Sequence, residues 1–481
     1  MPEPMTETDV DVVVVGCGPV GATLGNLLGT AGMTSAIFER ETDVYHLPRA
    51  SHFDGEIMRV FQSVGLADAI TPLTSGIDGM DFLDATGERL FGFVSPPGVG
   101  PSGWANDYMF SQPELERELR RGLDRFPTVT LHDGHEVETV TDTGDGTVVT
   151  VRDLATGTTR TVRARFVVGT DGARSITRAA IGSELDDYGF DQPWLVIDTN
   201  LLRPVDLPSV AVQYCDPNRP ATFIPHGGVR RRWEIMAMPG DDLDELQSAE
   251  RVAQLLSRWI DPDEVEIVRA VVYTFHALVA RNWRRNRVMI AGDSAHQMPP
   301  FLGQGMCAGI RDVTNLAWKL GAVLEGAPLT LLDSYQPERE PHARRVIETA
   351  VAAGRIIQTT DPEVARARDE SFRAAGGGSG PDQSFLGPLG PGLHGFGGGT
   401  PIPQVRESDT ALGSGFALVT GDRSVAAVAP DDIPVVVITE LESWFRERDC
   451  DLALVRPDRY VFGTARADEV DTLVGALRAH L

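Results

Sequence analysis

The sequence predicts an α/β chain built on a doubly wound, Rossmann-like parallel sheet. Three observations predict it. An apolar β-branched run, Val12 to Val15, stops at a glycine cluster; a helical pattern from Val20 to Ala31 follows; and two later apolar runs, Phe166 to Gly169 and Arg287 to Ala291, each end in an Asp-bearing turn.

Taken in order, Thr34 to Phe38 reads as the second strand of the opening β-turn-α-β unit. Pro113 to Leu123 reads as a helix, with Ser111 as N-cap and Pro113 inside the first turn. Thr128 to Arg165 alternates apolar and polar residues around glycine turns, as a β-meander does. Trp194 to Tyr273 is strand-rich, with one helix near Ala249 to Trp259. Helical periodicity returns over Met306 to Leu324 and again from about Pro337 to Ile357. Between Ala374 and Pro403 the runs Gly376-Gly377-Gly378, Gly390-Pro391-Gly392 and Gly397-Gly398-Gly399 have linker composition, from which no packed core is expected. From Gly415 to Leu481 strand-like runs (Phe416 to Val419, Val435 to Ile438, Leu452 to Val455, Tyr460 to Gly463) alternate with helices at Ser443 to Arg448 and Asp468 to Leu481, a small α/β domain of its own.

Composition narrows the chemistry. Of the 43 Lys plus Arg residues only Lys319 is lysine, and it follows no glycine-rich lead, so P-loop chemistry is excluded and a Schiff-base lysine is not expected. Lys319 itself reads as a solvated or snorkelling side chain. The formal charge of −26 disfavours nucleic acid and anionic membrane as partners and leaves any anionic ligand to helix N-termini and placed arginines. Cys17, Cys215, Cys307 and Cys450 are scattered, without C-x-x-C or metal-ligand spacing, so no metal site is expected; Cys17 and Cys307 read as small packing residues. The uncharged stretch from Val12 to Phe38 is dense in glycine and preceded by Glu3, Glu7, Asp9 and Asp11, which fits neither a secretory leader nor a membrane helix; a cytoplasmic chain is expected.

Three motifs carry chemistry. Gly16-Cys17-Gly18-Pro19-Val20-Gly21 follows a strand and opens a helix, and Glu39 ends the next strand. Glycines there let a pyrophosphate approach the backbone at a helix N-terminus, while the acid accepts from adenosine ribose hydroxyls. Gly169-Thr170-Asp171-Gly172 and Gly292-Asp293-Ser294-Ala295-His296 place two more acids at strand C-termini, which line the ligand crevice of such a sheet. Pro299-Pro300-Phe301-Leu302-Gly303-Gln304-Gly305-Met306 then opens a helix whose N–H groups can stabilise negative charge. Arg230-Arg231-Arg232 reads as a solvated strand end, with Arg231 on the opposite face from its neighbours.

These motifs in this order resemble the FAD-dependent class A aromatic hydroxylases of p-hydroxybenzoate-hydroxylase-like fold. Pro48-Arg49-Ala50, Tyr214 to Pro220, Met236 to Gly240 and Val455 to Tyr460 are similar to segments of the 3-(3-hydroxyphenyl)propionate hydroxylases within that group. The resemblance implies a GR2-type FAD-binding domain (1–75, 107–186 and 273–373), an inserted β-sheet substrate domain (76–106 and 187–272), the Gly/Pro-rich linker 374–403 and a thioredoxin-like α/β domain over 404–481. Without a C-x-x-C that last domain is expected to be redox-silent.

By the same resemblance Gly16, Gly18, Gly21 and Glu39 bind the ADP half of FAD, and Arg49 and Gln112 approach pyrophosphate and flavin. Asp171 and Gly172 serve both FAD and the NADH or NADPH cosubstrate; Asp293 with Gly303, Gln304, Gly305 and Met306 holds ribityl and ring; Val20, Arg40, Val137 and Pro300 complete the set. The implied activity is hydroxylation of a small phenolic substrate with O2 through a C4a-hydroperoxyflavin, with His52 as first and His226 as second candidate for base or positioning group. Epoxidation or Baeyer-Villiger oxidation of a polyketide-like metabolite on the same scaffold stays open on the sequence, as do a non-catalytic flavin-binding role and a homodimer. Halogenation is not expected, since those related flavoproteins need a lysine soon after the first glycine motif and a W-x-W-x-I-P signature, both absent.

Overall fold

The computed structural model describes residues 9–45, 49–377, 386–406, 408–428, 430 and 433–481; Pro48 and Gly378 of the motifs above lie outside them. Its first sheet is laid down by the strand Val10–Val15, which pairs in parallel with Thr159–Gly169 on one side and Ser35–Glu39 on the other. Val288–Ile290 and Val129–Asp133 extend the parallel array outward. Val12, Val13 and Val14 are fully buried because helices cover the sheet, which is why the strand is an unbroken apolar run and not an alternating one. The helix Pro19–Thr30 packs against both Gln112–Leu123 and Gly305–Leu324. His135–Asp142 and Thr147–Asp153 add an antiparallel meander to the N-terminal part of Thr159–Gly169. Ser111 stands at the N-cap of Gln112–Leu123, but its side chain caps nothing, and Pro113 with Glu114 fills the first turn instead.

A second eight-stranded sheet is built on two long antiparallel strands, Leu185–Leu201 and Val265–Ala280. Its two faces follow the period of two. Leu195, Ile197, Phe223, Trp233 and Ile235 form an apolar core with Val252 and Leu256 of the helix Ala249–Leu256. The opposite face meets the backbone at Arg49 through Arg232 and the ring of Phe301 through Trp194. A small sheet of His52–Asp54, Asp107–Phe110 and Thr74–Ser75 lies beside it.

The C-terminal segment forms a four-stranded sheet, Val435–Val437, Ala417–Thr420, Leu452–Val455 and Val461–Ala465. The composition of 374–403 misled in part. A helix Pro362–Ala374 precedes it, and although 378–385 lie outside the described residues, 386–403 is a packed strap with Leu389 and Leu393 buried. Its glycines permit close approach: a Cβ on Gly390 would lie 2.1 Å from the Pro337 carbonyl oxygen.

Lys319 corrects the surface reading. It is fully buried, donating to Glu338 (2.8 Å) and Asn315 (2.8 Å), while Arg456 of the C-terminal segment binds the same Glu338 oxygen at 2.9 Å. Burial pulls its ammonium down to about 8 against the opposing pull of Glu338. A lone lysine on an apolar helix is thus a tie between the helices Gly305–Leu324 and Tyr335–Ile357 and the last sheet. No helix among the described residues is long and apolar enough to cross a membrane.

Candidate functional site

The glycine motif builds a cradle. Gly16 takes a φ of 92°, and a Cβ there would lie 2.7 Å from the Thr170 carbonyl oxygen. A Cβ on Gly21 would lie 2.1 Å from the Gly16 carbonyl oxygen, so the helix packs hard on the strand end. At Gly18 the same atom would meet nothing within 4 Å. Gly18 is the N-cap of Pro19–Thr30, which has no side-chain cap and no acid in its first turn. Unsatisfied N–H groups over open space suit a pyrophosphate. Glu39 is anchored at the rim, accepting from Cys17 N (2.7 Å) and Glu41 N (3.0 Å), and each oxygen keeps a lone pair for a ribose hydroxyl. Val20 packs on Gly292 and Gly309, joining this turn to the Asp293 turn. Arg40 is exposed against Glu41, and Val137 is buried in the meander opposite Val151.

The two Asp turns are stitched together. Asp171 accepts from Ser175 Oγ (2.6 Å), Ser294 Oγ (2.9 Å) and Thr177 N (3.0 Å), and Gly172 N donates to Ser294 Oγ (2.9 Å). Both residues are therefore turned inward, as a pin between the turns. Asp293 is exposed, within electrostatic reach of His296 and Arg49. Gln112 is buried and accepts from the amides of Arg49 and Ala50, both at 2.8 Å, which fixes the backbone there. The Arg49 guanidinium lies over the Tyr45 ring (5.2 Å) and has no ion pair among the described residues. It is available to an anion. An open glycine cradle, an anchored acid, an arginine with no ion pair among the described residues and an exposed Asp fit the parts of FAD.

The turn from Pro300 to Gln304 is held from behind. Gly303 takes a φ of 64°, and the helix Gly305–Leu324 starts without a side-chain cap. Pro300 and Met306 are half-buried at its edge, and Gly305 has Met298 Cγ as its nearest Cβ neighbour at 3.6 Å. Gln304 is buried, accepting from Arg311 (3.1 Å) and donating to Asp54 (3.2 Å). Arg311 also binds Asp54 and Glu56, each at 2.7 Å, and Tyr460 of the C-terminal sheet donates to Glu56 at 2.8 Å.

His52 lies against this turn, its ring within 3.0 Å of where a Gly303 Cβ would be. Nε2 meets Asp107 at 2.9 Å and Nδ1 meets the Gly303 carbonyl at 3.3 Å. Ser95 donates to the other Asp107 oxygen at 2.5 Å. Burial alone would lower the imidazole, but the hydrogen bond and charge of Asp107, with the charge of Asp54, raise it. Two acceptors on two ring nitrogens favour the imidazolium, so the ring braces the turn.

His226 is the opposite case. It is buried, its Nε2 has no hydrogen-bond partner among the described residues, and it bonds the Phe110 backbone. Burial first, then the charge of Arg232, holds it well below the ordinary value. It is a neutral imidazole with an unused nitrogen.

Cross-strand register places a polar band on the inward face of the second sheet. Asp198 stands opposite Arg232, and Glu234 stands between Val196 and Thr222. Arg232 is 2 % exposed, so the solvated reading of 230–232 fails for it: Nε donates to Asp198 (2.7 Å) and Nη1 to the Arg49 carbonyl (2.9 Å), while only Arg230 lies at the surface on Glu114. Arg269 binds the other Asp198 oxygen at 2.5 Å. Burial raises the Glu234 carboxyl, against the pull of Arg232. Thr222 donates to Gln213 at 2.6 Å. Trp194, with no partner for Nε1 among the described residues, meets Phe301 of the 300–304 turn edge-on at 5.5 Å. The sequence carried a signal for these residues: Asp198 directly follows the apolar run Trp194 to Ile197, Glu234 interrupts the otherwise apolar run Trp233 to Met236, and Arg232 directly precedes it.

Residues 9–350 match the family model of the FAD binding domain, and residues 430–480 match that of the HcaD C-terminal domain. The chain is 39% identical over 496 residues, covering 95% of this chain and 92% of the other, to a probable NADH-specific resorcinol 4-hydroxylase of Rhodococcus jostii (strain RHA1). It is 40% identical over 368 residues to a 3-(3-hydroxy-phenyl)propionate/3-hydroxycinnamic acid hydroxylase of Mycolicibacterium smegmatis (strain ATCC 700084 / mc(2)155), covering 76% of this chain and 64% of that protein's length. Its fold is similar to that of the flavin-dependent monooxygenase PieE, crystallised with FAD and substrate, at a TM-score of 0.83 and 22% identity over 98% of this chain and 99% of the other. The cradle, the two Asp turns and the match across 9–350 lead to one conclusion: the chain belongs to the FAD binding domain family, as a flavoprotein monooxygenase.

Proposed function

We propose that the chain hydroxylates a phenolic ring, with NADH as electron donor and O2 as oxygen source. The names of the two hydroxylase relatives support the reaction, and that of the Rhodococcus relative supports NADH. The single observation that carries the site is His226, a buried neutral imidazole with an unpartnered Nε2 beside the polar band facing the flavin turn. Bound FAD supplies hydride acceptance and oxygen activation. His226 Nε2 accepts the phenolic proton, making the ring the better nucleophile. Glu234 and Trp194 Nε1 orient ring hydroxyls, and the apolar Trp194–Phe301–Phe275 cluster excludes water. His52, with both nitrogens engaged, keeps the flavin turn in place.

In this reading 1–75, 107–186 and 273–373 form the FAD unit, 76–106 and 187–272 the substrate unit, and 404–481 a thioredoxin-like unit that braces it. The test is a panel of phenols scored by substrate-stimulated NADH oxidation together with product mass. A product heavier by one oxygen is expected from at least one phenol; no stimulation by any of them overturns the proposal.

A further inference from the structure

The inward face of the second sheet reaches the rest of the chain at two points. Arg232 Nη1 donates to the Arg49 carbonyl at 2.9 Å, and Trp194, which stands opposite Met236, meets the Phe301 ring at 5.5 Å. Residues 232 and 236 are four apart on one strand, roughly 13 Å at the usual rise. Glu234 lies midway between them, and because side chains alternate along a strand it shares their face. A ring held between the two contacts lies in front of this carboxylate.

The cross-strand neighbours of Glu234 have no hydrogen-bonding capacity turned to it. Val196 stands on one side and Thr222 on the other, with Gln213 beyond Thr222. Thr222 donates to Gln213 at 2.6 Å, Gln213 Nε2 turns to Met80 Sδ at 3.6 Å, and Val196 is apolar. The Glu234 oxygens take part in no hydrogen bond among the described residues. Arg232 Nη1, at 3.8 Å, is close enough for charge and too far for a hydrogen bond. At 4% exposure the side chain is buried, yet neither oxygen is sealed off from the space in front of the sheet. A buried carboxylate with two open oxygens requires donors.

The charges nearby decide what kind of donor. Asp198 is shared by Arg232 at 2.7 Å and Arg269 at 2.5 Å. Two guanidiniums against that one acid leave a positive charge, which Glu234 as a carboxylate cancels. Arg49 offers the band its carbonyl, its guanidinium lying over Tyr45; Arg230 pairs with Glu114, and His226 is neutral. The band is balanced before any ligand arrives, so a carboxylate on the ligand finds no counter-charge there and meets Glu234 as a like charge.

We propose that Glu234 sets the substrate class: it accepts a hydrogen bond from a second ring hydroxyl, so the substrate is an uncharged dihydric phenol, and phenols carrying a carboxylate are rejected. This rests on the hydroxylase reading and narrows it.

The FAD-loaded protein is titrated with phenol, the three dihydroxybenzenes, 3-hydroxybenzoate and 3-hydroxybenzyl alcohol, which has the benzoate's carbon skeleton without its charge. Binding is read by quenching of flavin fluorescence, and NADH oxidation with product mass is followed for each. At least one dihydroxybenzene is expected to bind about tenfold or more tighter than phenol, the worth of a hydrogen bond to a charged acceptor, and the alcohol tighter than the benzoate by as much. In Glu234→Gln both ratios should shrink about tenfold, a change of selectivity that lost packing does not produce. Phenol binding as well as every dihydroxybenzene, the benzoate binding as well as the alcohol, or unchanged ratios in folded Glu234→Gln each overturn the assignment. If Glu234→Gln does not fold, the wild-type ratios decide alone. Selective binding with no NADH oxidation stimulated by any phenol upholds Glu234 as the selecting group and overturns the hydroxylase reading instead.

Discussion

Replacing Tyr460 by Phe tests whether the C-terminal sheet supports the flavin turn. The substitution keeps the buried ring and deletes one hydroxyl, which donates to Glu56 at 2.8 Å. Burial and the neighbouring Glu56 charge push the phenol well above its ordinary value, so it remains a donor at any working pH. A hydrogen bond to a charged acceptor contributes about 1.5–3 kcal/mol. Glu56 is 18% exposed and keeps Arg311 on its other oxygen, which places the expected loss near the lower end, about 2 kcal/mol. At an unfolding entropy of about 2.1 cal/mol/K per residue, that lowers the melting temperature by about 2 °C for a chain of 481 residues. Because Glu56 binds Arg311 and Arg311 binds Gln304, part of the loss reaches FAD affinity, read by flavin fluorescence titration. Unfolding and flavin affinity both equal to wild type would refute the coupling. Lower stability with unchanged flavin affinity would confine Tyr460 to packing.

The remaining expectations use other parts of the site. Gly18→Ala has open space at its Cβ, so the apo protein should melt as wild type does while FAD affinity falls about tenfold or more; loss of apo stability would show that Gly18 serves the fold instead. His226→Gln should lower the hydroxylation rate roughly a hundredfold while NADH is still consumed, and an unchanged rate with unchanged coupling excludes the base role. The raised folded value of His52 means the folded state holds its proton more tightly than the unfolded state. Its stabilisation is complete below pH 6.5 and is lost as pH rises through the folded value. In Asp107→Asn burial is left without its main opponent, so the His52 inflection, followed by NMR, should fall below 6.5; an inflection still above 6.5 removes Asp107 as the cause.

The FAD half was legible because its chemistry is backbone chemistry. A glycine is required wherever a left-handed φ or a close approach is required, and Gly16 and Gly21 meet those conditions locally, within one turn of chain. Glu39 is placed by the next strand of the same unit. Burial of Lys319 could not be read in the same way, since its partner Glu338 comes from a separate helix and is shared with Arg456, which follows a strand of the last sheet. The strap 386–403 was hidden by composition: glycine marks a flexible linker and a tightly packed one equally, and only the Pro337 carbonyl against Gly390 separates them.

The inward face of the second sheet is non-local in a further sense. Asp198, Arg232 and Arg269 lie on three strands, and each reads alone as a surface charge, but the register that sets Asp198 opposite Arg232 removes all three from water together. Such a cluster persists only if its charges are matched, because breaking a buried pair costs roughly 3–5 kcal/mol. Arg232 then has a donor left over, and it goes to the Arg49 carbonyl, at the edge of the FAD cradle. The charge-balanced band and the backbone at Arg49 are thereby joined directly. The two histidines divide along the same line: His52 is tied at both nitrogens, while His226 Nε2 is unclaimed among the described residues, which is the observation behind the base role proposed for it.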